Sequence, residues 1–372
     1  MNKQTSDKNI PTCWWADLKS LTATLCCAVI GGLFFKYIGM PAPYMLGSML
    51  GVWSVTALVK SARPYMRVPR WFHIIIVLGV GVIVGAMFGP DTLDNMLDWI
   101  YTVSAMLVSS IIATSVGYWY LTRRRNYEPS LALFCTLPGG QAEVILISRE
   151  YVEKDYVVAL CHLVRVVVIF CSVPLALAFL LGESAVRNSN RALSDLPGLI
   201  DVPIILLVQF VALALVGYAL ARLLRMPVPF LLGPMLLSMS LHLADIIDIP
   251  RINEVVFLAQ ITIGGMVGAR LGQVKFRILA GYLRDALVNV VLVLSVFVSS
   301  AYLIATWVEL NILDVMLAFV PGGLYEITLL SLVFGFDVAF VAIHHSTRVL
   351  LLMLALPLLV RLLPANETKF PR

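Results

Sequence analysis

The stretch PAPYMLGSML at positions 41–50 recurs as PVPFLLGPML at 227–236, an offset of 186 residues. Outward from these stretches, LPGGQAE at 137–143 recurs as VPGGLYE at 320–326, an offset of 183 residues. His162 and Arg165 then match His345 and Arg348 at the same offset of 183. Since a low-complexity chain keeps no fixed register of Pro, Gly, Glu, His and Arg, these matches predict two homologous halves.

The composition places both halves in a lipid bilayer. Of the 372 residues, 60% are hydrophobic and 13% are charged, whereas a soluble domain carries about 25% charged residues. Apolar runs of about 18 to 25 residues follow one another along the chain, which is the length that crosses a membrane as a helix. The sequence therefore predicts an all-α integral membrane protein with the bilayer as its partner. This excludes a soluble enzyme, a regulator in direct contact with nucleic acid and a secreted disulfide scaffold.

The topology depends on how many of the six apolar segments in each half cross the membrane. If all cross, the protein has 12 spans in a parallel repeat, with 16 Lys and Arg residues inside and 9 outside. If the PGG segment of each half is a re-entrant hairpin, about ten spans remain in an inverted repeat, with 21 of these residues inside and 4 outside. The positive-inside rule favours the inverted repeat.

The inverted repeat divides the chain into five parts and puts both termini in the cytoplasm. The longest polar stretch between apolar segments marks the middle of the chain. The expected parts are a cytoplasmic N-terminal arm at 1–20, a first membrane repeat at 21–182, a linker at 183–200, a second membrane repeat at 201–363 and a cytoplasmic C-terminal tail at 364–372.

Each PGG motif predicts a break in an apolar helix. Proline lacks an amide donor and glycine has a low helix propensity, and a break at membrane depth is tolerated only where the backbone lines a cavity or is buried in protein. The helix that restarts after each motif presents free amides and a positive dipole end, which suits an anion. The alternative is a kink that lets two helices pack closely. The predicted substrate-binding residues here are Gly139, Gly140, Gln141, Gly322, Gly323 and Tyr325.

Four charged residues within the apolar segments form two matching pairs, Glu143 with Arg165 and Glu326 with Arg348. A charge at the bilayer centre costs about 2.5 to 3.5 kcal/mol on insertion scales, so each arginine should face a cavity or a partner. We predict that the two arginines pair with the anionic group of the substrate and that the two glutamates bind a coupling ion. The alternative is a structural salt bridge that fixes the PGG segment to the next span.

Two histidines, His162 and His345, each lie one helical turn before an arginine, on the same helix face. Imidazole titrates near neutrality, so proton exchange is the functional prediction and a packing role is the alternative. The chain has five histidines and six cysteines but no HExxH, no His-carboxylate triad spacing and no CxxC motif. The sequence therefore predicts no metal and no cofactor.

Two PxPxxLG elements, at 41–47 and 227–233, open the shortest apolar segment of each half. Short, Pro-interrupted segments in corresponding positions indicate the binding region of a transporter. A proline helix start followed by small-residue packing explains them equally. Glycine-rich faces such as Gly79, Gly81 and Gly85 fit helix packing within one protomer or between protomers of a homo-oligomer.

The duplicated halves, each with PxPxxLG early and PGGxxE followed by HxxR late, resemble the AbrB-type membrane family of Gram-negative bacteria, named for the regulator of aidB. The resemblance covers about 20–363, and Cys161 standing against His344 is the departure. It implies the bacterial inner membrane. Members are catalogued as ammonia monooxygenases, as transcriptional regulators and as uncharacterised membrane proteins. The inverted repeat is also similar in architecture to that of the bile-acid-symporter and cation-antiporter group.

The leading functional hypothesis is a secondary transporter of a small anionic or zwitterionic metabolite, coupled to an ion such as H+ or Na+. Its site is expected at the interface of the two repeats. The alternative is a membrane sensor or regulator that affects gene expression indirectly. A membrane monooxygenase is the third hypothesis, and an enzyme is not expected because the histidine inventory offers no copper or iron site.

Overall fold

The computed structural model describes residues 14–90, 92, 99–139, 141–274 and 276–361. The described part of the first half contains seven α-helices: α1 Trp14–Tyr37, α2 Pro43–Leu58, α3 Arg70–Gly85, α4 Trp99–Trp119, α5 Pro129–Thr136, α6 Gln141–Tyr151 and α7 Asp155–Ser194. The described part of the second half contains seven more: α8 Ile204–Leu223, α9 Pro229–Leu243, α10 Asn253–Gly272, α11 Phe276–Val308, α12 Ile312–Phe319, α13 Leu324–Phe334 and α14 Val338–Arg361. A 3-10 turn, Arg63–Tyr65, precedes α3, and a π-helix, Tyr120–Arg124, continues α4.

Seven of the described helices are long and apolar enough to cross a bilayer, so the prediction of an all-helical membrane protein is confirmed. Helices α2, α3 and α9 are shorter, with 16, 16 and 15 residues. At 1.5 Å per residue each is about 23 Å long, which is less than the hydrocarbon thickness of about 30 Å. The seven crossing segments are Trp14–Tyr37, Trp99–Arg124, Asp155–Gly182, Ile204–Leu223, Asn253–Gly272, Leu279–Val308 and Val338–Leu356.

The connection between the halves is partly helical. Gly182 has a φ of 79° and a ψ of 173°, so it interrupts α7 with a conformation that glycine adopts without a Cβ penalty. The helix resumes beyond this kink and ends at Ser194. The stretch 183–200, expected as a polar linker, is therefore helical over its first part.

The helices pack in two groups. Helices α1–α3 and α8–α10 form one group, here called the scaffold group, in which α2 packs between α1 and α10 and α9 packs between α8 and α3. Helices α4–α7 and α11–α14 form the other, the hairpin group, in which α11 packs on α4 and α7. The contacts between the groups run from α3 and α10 to α7, α13 and α14. Each group thus contains helices from both halves of the chain.

Glycines bring the scaffold helices into backbone contact. A Cβ added at Gly47 would collide with the carbonyl of Gly31, and one added at Gly233 would collide with the carbonyl of Gly217. These two pairs are related by the offset of 186 residues. The glycine of each PxPxxLG element therefore packs α2 against α1 or α9 against α8, as the small-residue alternative predicts.

The glycine-rich face of α3 packs inside the protomer. A Cβ added at Gly81 would lie 2.8 Å from the carbonyl oxygen of Leu231, and one added at Gly85 would collide with the carbonyl of Met235 on the same helix, α9. A Cβ at Gly79 would meet the side chain of Val255 at 3.0 Å. This face serves the α3–α9 contact, so it gives no support to a homo-oligomer.

Both PGG motifs interrupt a helix, as predicted. Helix α5 ends at Thr136 and α6 begins at Gln141, while α12 ends at Phe319 and α13 begins at Leu324. In the second half the backbone amide of Asp337, just before α14, donates to Oδ1 of Asp314 in the first turn of α12, at 2.9 Å. The chain therefore leaves α13 close to the level at which it entered α12.

Candidate functional site

Arg165 is buried in α7 and is held by the end of the first PGG segment. Its Nη1 donates to the carbonyl oxygen of Leu137 at 2.9 Å, and its Nη2 lies 2.8 Å from Nδ1 of His162. Leu137 directly follows α5, so the guanidinium group meets the end of a helix where unpaired carbonyls favour a cation. The Nε of Arg165 is buried and has no hydrogen-bond partner among the described residues.

Arg348 has the same arrangement in α14. Its Nη1 donates to the carbonyl oxygen of Phe319 at 3.0 Å and its Nη2 to that of Val320 at 3.1 Å. The Nη2 also lies 2.8 Å from Nδ1 of His345, and the guanidinium group lies over the ring of Phe297 at 5.9 Å. Its Nε, too, is buried without a hydrogen-bond partner among the described residues.

The protonation of both histidines follows from their partners. The Nε2 of His162 lies 3.0 Å from the carbonyl oxygen of Phe134, and that of His345 lies 3.0 Å from the carbonyl oxygen of Leu317. An arginine can only donate and a carbonyl can only accept, so Nδ1 accepts and Nε2 carries the hydrogen. Each imidazole is therefore neutral, and both of its nitrogens are engaged in linking the arginine to the helix that precedes the PGG motif.

The two PGG turns meet the helices of the opposite half. Gly139 has a φ of 94°, and a Cβ added there would lie 3.9 Å from Nε of Arg348 and 3.6 Å from Val349. A Cβ added at Gly322 would lie 3.7 Å from Ile169 on α7. Residues from both halves thus converge on one region.

Glu326 is buried in the first turn of α13, where its carboxylate folds back over Gly323. It accepts a hydrogen bond from its own backbone amide, and its Oε2 has no hydrogen-bond partner among the described residues. The hypothesis of a Glu326–Arg348 ion pair is not supported, because no such contact occurs among the described residues and Arg348 donates to carbonyls instead.

Three of the predicted site residues receive no side-chain description. Gly140 lies outside the described residues. The backbone of Gln141 and Glu143 forms the start of α6, but their side chains also lie outside the described part of the chain. The corresponding pair, Glu143 with Arg165, therefore stays a prediction.

His73 is a residue that the sequence analysis did not select. Its ring contacts that of Tyr325 at 5.4 Å, which joins α3 of the scaffold group to α13 of the hairpin group. The Nε2 of His73 is buried without a hydrogen-bond partner among the described residues. The residue 183 positions after His73 is Val256, so no repeated motif marks His73.

His344, which stands where the first half has Cys161, contacts a side chain on a neighbouring helix. Its Nε2 lies 2.9 Å from Oγ1 of Thr102 on α4, and its Nδ1 lies 2.7 Å from the carbonyl oxygen of Phe340. Cys161, which stands at the matching position, is buried. The contact of His344 with Thr102 ties α14 to α4 within the hairpin group.

Within the described residues, no three or more His, Cys, Asp or Glu side chains are grouped so that they could hold a metal ion.

Comparisons with known proteins agree with the motifs. The family model described as "Transition state regulatory protein AbrB" matches residues 49–364. "Uncharacterized protein YhjN" of Bacillus subtilis (strain 168) is 24% identical over 356 residues, which cover 90% of either chain. "Putative regulator AbrB" of Escherichia coli (strain K12) is 22% identical over 342 residues, covering 90% of this chain and 94% of its own. No solved structure matches significantly. Because the family model covers most of its length, this chain belongs to the AbrB family of membrane proteins.

Proposed function

We propose that this protein is a secondary transporter of the inner membrane that moves a small anionic or zwitterionic metabolite, coupled to protons or Na+. The observation that carries the proposal is the pair of buried guanidinium groups beside the two PGG turns. Neither Arg165 nor Arg348 forms an ion pair among the described residues, and both keep a buried Nε without a hydrogen-bond partner. A buried cation without a counter-charge is costly unless an anion binds to it.

The proposal includes an inverted repeat with two re-entrant hairpins and cytoplasmic termini. It is supported by the matching contacts α2–α10 and α9–α3, and by the matching arginine–histidine–carbonyl sets. The hydrogen bond between Asp337 and Asp314 supports the second hairpin, because a segment that crossed the membrane would separate these residues by about 30 Å. In this topology α2, α3 and α9 are short spans beside the seven long ones.

Alternating access would arise from motion between the scaffold group and the hairpin group. The site residues belong to the hairpin group, and the scaffold contributes α3 and α10 to the boundary. Rocking of one group against the other would expose Arg165 and Arg348 to one side of the membrane at a time. His73 and Tyr325 face each other across this boundary, so their contact would open or close during transport.

Each polar side chain has a proposed role. Arg165 and Arg348 bind the anionic group of the substrate through their free Nε–H. Glu326, with Glu143 in the matching position, binds the coupling ion. The engaged ring nitrogens of His162 and His345 favour a positioning role for these residues, and proton exchange is the alternative.

The test is solute uptake by purified protein in proteoliposomes, under an imposed pH or Na+ gradient. The probes are radiolabelled lactate, succinate, glutamate and glycine. Arg165→Gln and Arg348→Gln should each lower uptake by about tenfold or more, since each removes a charge-assisted hydrogen bond. Arg251→Gln, at an exposed position, is the control and should retain uptake. Full uptake in both folded arginine variants would refute the proposal.

The same assay separates the roles of the other residues. Glu326→Gln should leave uptake that no longer responds to the gradient of the coupling ion. If the histidines position the arginines, His345→Gln should weaken uptake but keep its pH dependence. Loss of that dependence would instead support proton exchange.

A relative's name suggests the regulator as the second candidate, since the Escherichia coli protein is called a regulator. A transporter could have this effect by changing the level of a solute in the cell. Folded wild-type protein that moves none of the four probes would favour this candidate.

A further inference from the structure

The hairpin group contains a cavity of about 740 Å³ that is lined in part by Arg348. One wall is α4, with Leu107 and Ile111, and the facing wall is α14, with Leu351 and Ala355. Leu137 and Pro138 of the first PGG segment close one end, and Arg348 lies among the lining residues. The cavity is thus built from both halves of the chain and reaches the proposed transport site.

The cavity opens toward the bilayer. Ile111 is 68% exposed and Leu351 is 41% exposed. Both lie on helices that are long and apolar enough to cross the membrane, so their exposed surface faces lipid. A molecule could therefore reach Arg348 sideways from the membrane, between α4 and α14.

Among the described residues that line the cavity, Arg348 carries the only charge, and Tyr118 adds a phenolic hydroxyl. The lining hydroxyls of Ser110, Thr114 and Ser115 donate to the carbonyls of Met106, Ser110 and Ile111 at 2.8, 2.7 and 2.8 Å, so their hydrogens are already used. The Nε–H of Arg348 has no hydrogen-bond partner among the described residues, and Arg348 is 2% exposed.

The neighbouring turn borders this donor. A Cβ added at Gly139 would lie 3.9 Å from the Nε of Arg348, at ordinary contact distance, so the absence of a side chain leaves space there. The Nε is buried, so a carboxylate oxygen would accept its hydrogen after the Arg348 side chain shifts toward the cavity.

We propose that this cavity binds a single-chain amphipathic anion, with the carboxylate on Arg348 and the apolar tail between α4 and α14. This deepens the proposed function, on which it rests, by naming the substrate class: a monoanion with a tail of several methylenes that enters from the bilayer. One cation at one end of an apolar cavity matches one acidic group on an apolar chain.

The test is binding of acetate, decanoate and decan-1-ol to wild-type protein in nanodiscs of phosphatidylcholine, measured by calorimetry. Decanoate should bind far more tightly than acetate, because each buried methylene strengthens binding by about fourfold. Arg348→Gln should weaken decanoate binding by about tenfold or more and leave decan-1-ol unaffected. Equal affinity for acetate and decanoate would overturn the proposal.

A second variant keeps the test valid if Arg348→Gln does not fold. Ala355→Trp should fill the cavity and abolish decanoate binding, while Leu354→Trp, at a 75% exposed neighbouring position outside the lining, should preserve it. Decanoate binding retained in folded Ala355→Trp would refute the location.

The last comparison repeats the decanoate binding measurement in nanodiscs that contain the acidic lipid phosphatidylglycerol. Decanoate binding that survives in these nanodiscs supports the proposed substrate. Its loss would assign the cavity to an acidic lipid headgroup and overturn the substrate class.

Two combinations of results distinguish the amphipathic substrate from the transporter proposal. If Arg348→Gln abolishes uptake of a small anion but decanoate does not bind, the results support the transporter proposal and refute the amphipathic substrate. If decanoate binds through Arg348 but no anion crosses the membrane, the results support the binding site and refute transport.

Discussion

Replacing Gly268 by alanine tests whether α10 of the second half is in backbone contact with α2 of the first. A Cβ added at Gly268 would collide with the carbonyl oxygen of Met49 and lie 3.0 Å from its carbonyl carbon. A backbone cannot rotate away as a side chain can, so α2 and α10 would have to separate. Gly265, one turn earlier on α10, is the matched control, because its added Cβ would meet Ala28 at an ordinary 3.4 Å.

The expected magnitude follows from comparing the two variants. Both replace a buried helical glycine, so both gain the same helix propensity, about 1 kcal/mol in water. Only Gly268→Ala introduces overpacking, which costs about 1 to 3 kcal/mol. At about 2 °C per kcal/mol for a chain of this size, the Tm of Gly268→Ala should fall about 2 to 6 °C below that of Gly265→Ala.

The assay is the temperature at which detergent-purified protein loses its monodisperse peak in size-exclusion chromatography. Gly85→Ala, related to Gly268 by the offset of 183, should lower the Tm as Gly268→Ala does, because its added Cβ would collide with the carbonyl of Met235 on α9. Equal Tm values for Gly265→Ala and Gly268→Ala would refute the close contact of α2 with α10.

Two further changes test contacts within the hairpin group. Thr102→Val removes the hydroxyl that lies 2.9 Å from Nε2 of buried His344, and it should lower the free energy of unfolding by about 1 to 3 kcal/mol. Thr102→Ser keeps a hydroxyl and should restore the Tm. Equal Tm values for the two variants would contradict the contact. Asp314→Ala removes the acceptor of the Asp337 amide and should speed hydrogen exchange in a peptide covering 335–341. Asp314→Asn, which keeps an acceptor oxygen, should remain slow, and unchanged exchange in Asp314→Ala would argue against this closure of the hairpin.

Much of the local structure could be predicted from the sequence. Proline and glycine break helices through their own backbone chemistry, so the interruptions at 138–140 and 321–323 follow from the residues themselves. The spacing of His162 and Arg165 puts both on one helix face, and their side chains indeed lie 2.8 Å apart. These inferences depend only on neighbours along the chain.

The partners of the buried charges could not be predicted in this way. Glu326 is the acidic residue that the repeated motifs pair with Arg348, yet Arg348 binds the carbonyls of Phe319 and Val320. A helix end supplies unpaired carbonyls that compete with a carboxylate, and no sequence pattern states which acceptor is closer. His73 was missed for the same reason, since its contact with Tyr325 joins residues 252 positions apart.

The sequence by itself determined the membrane class, the two sets of matching motifs and the positions where helices break, because composition and backbone chemistry act locally. Only the tertiary structure decided that α2 packs on α10 and α9 on α3, and that Arg348 lies beside Gly139 of the other half. The physical reason is that a hydrophobic helix face is satisfied by any apolar neighbour, so its pattern does not name the neighbour. Close packing of glycines and the hydrogen-bonding needs of buried arginines select among the arrangements that the pattern permits.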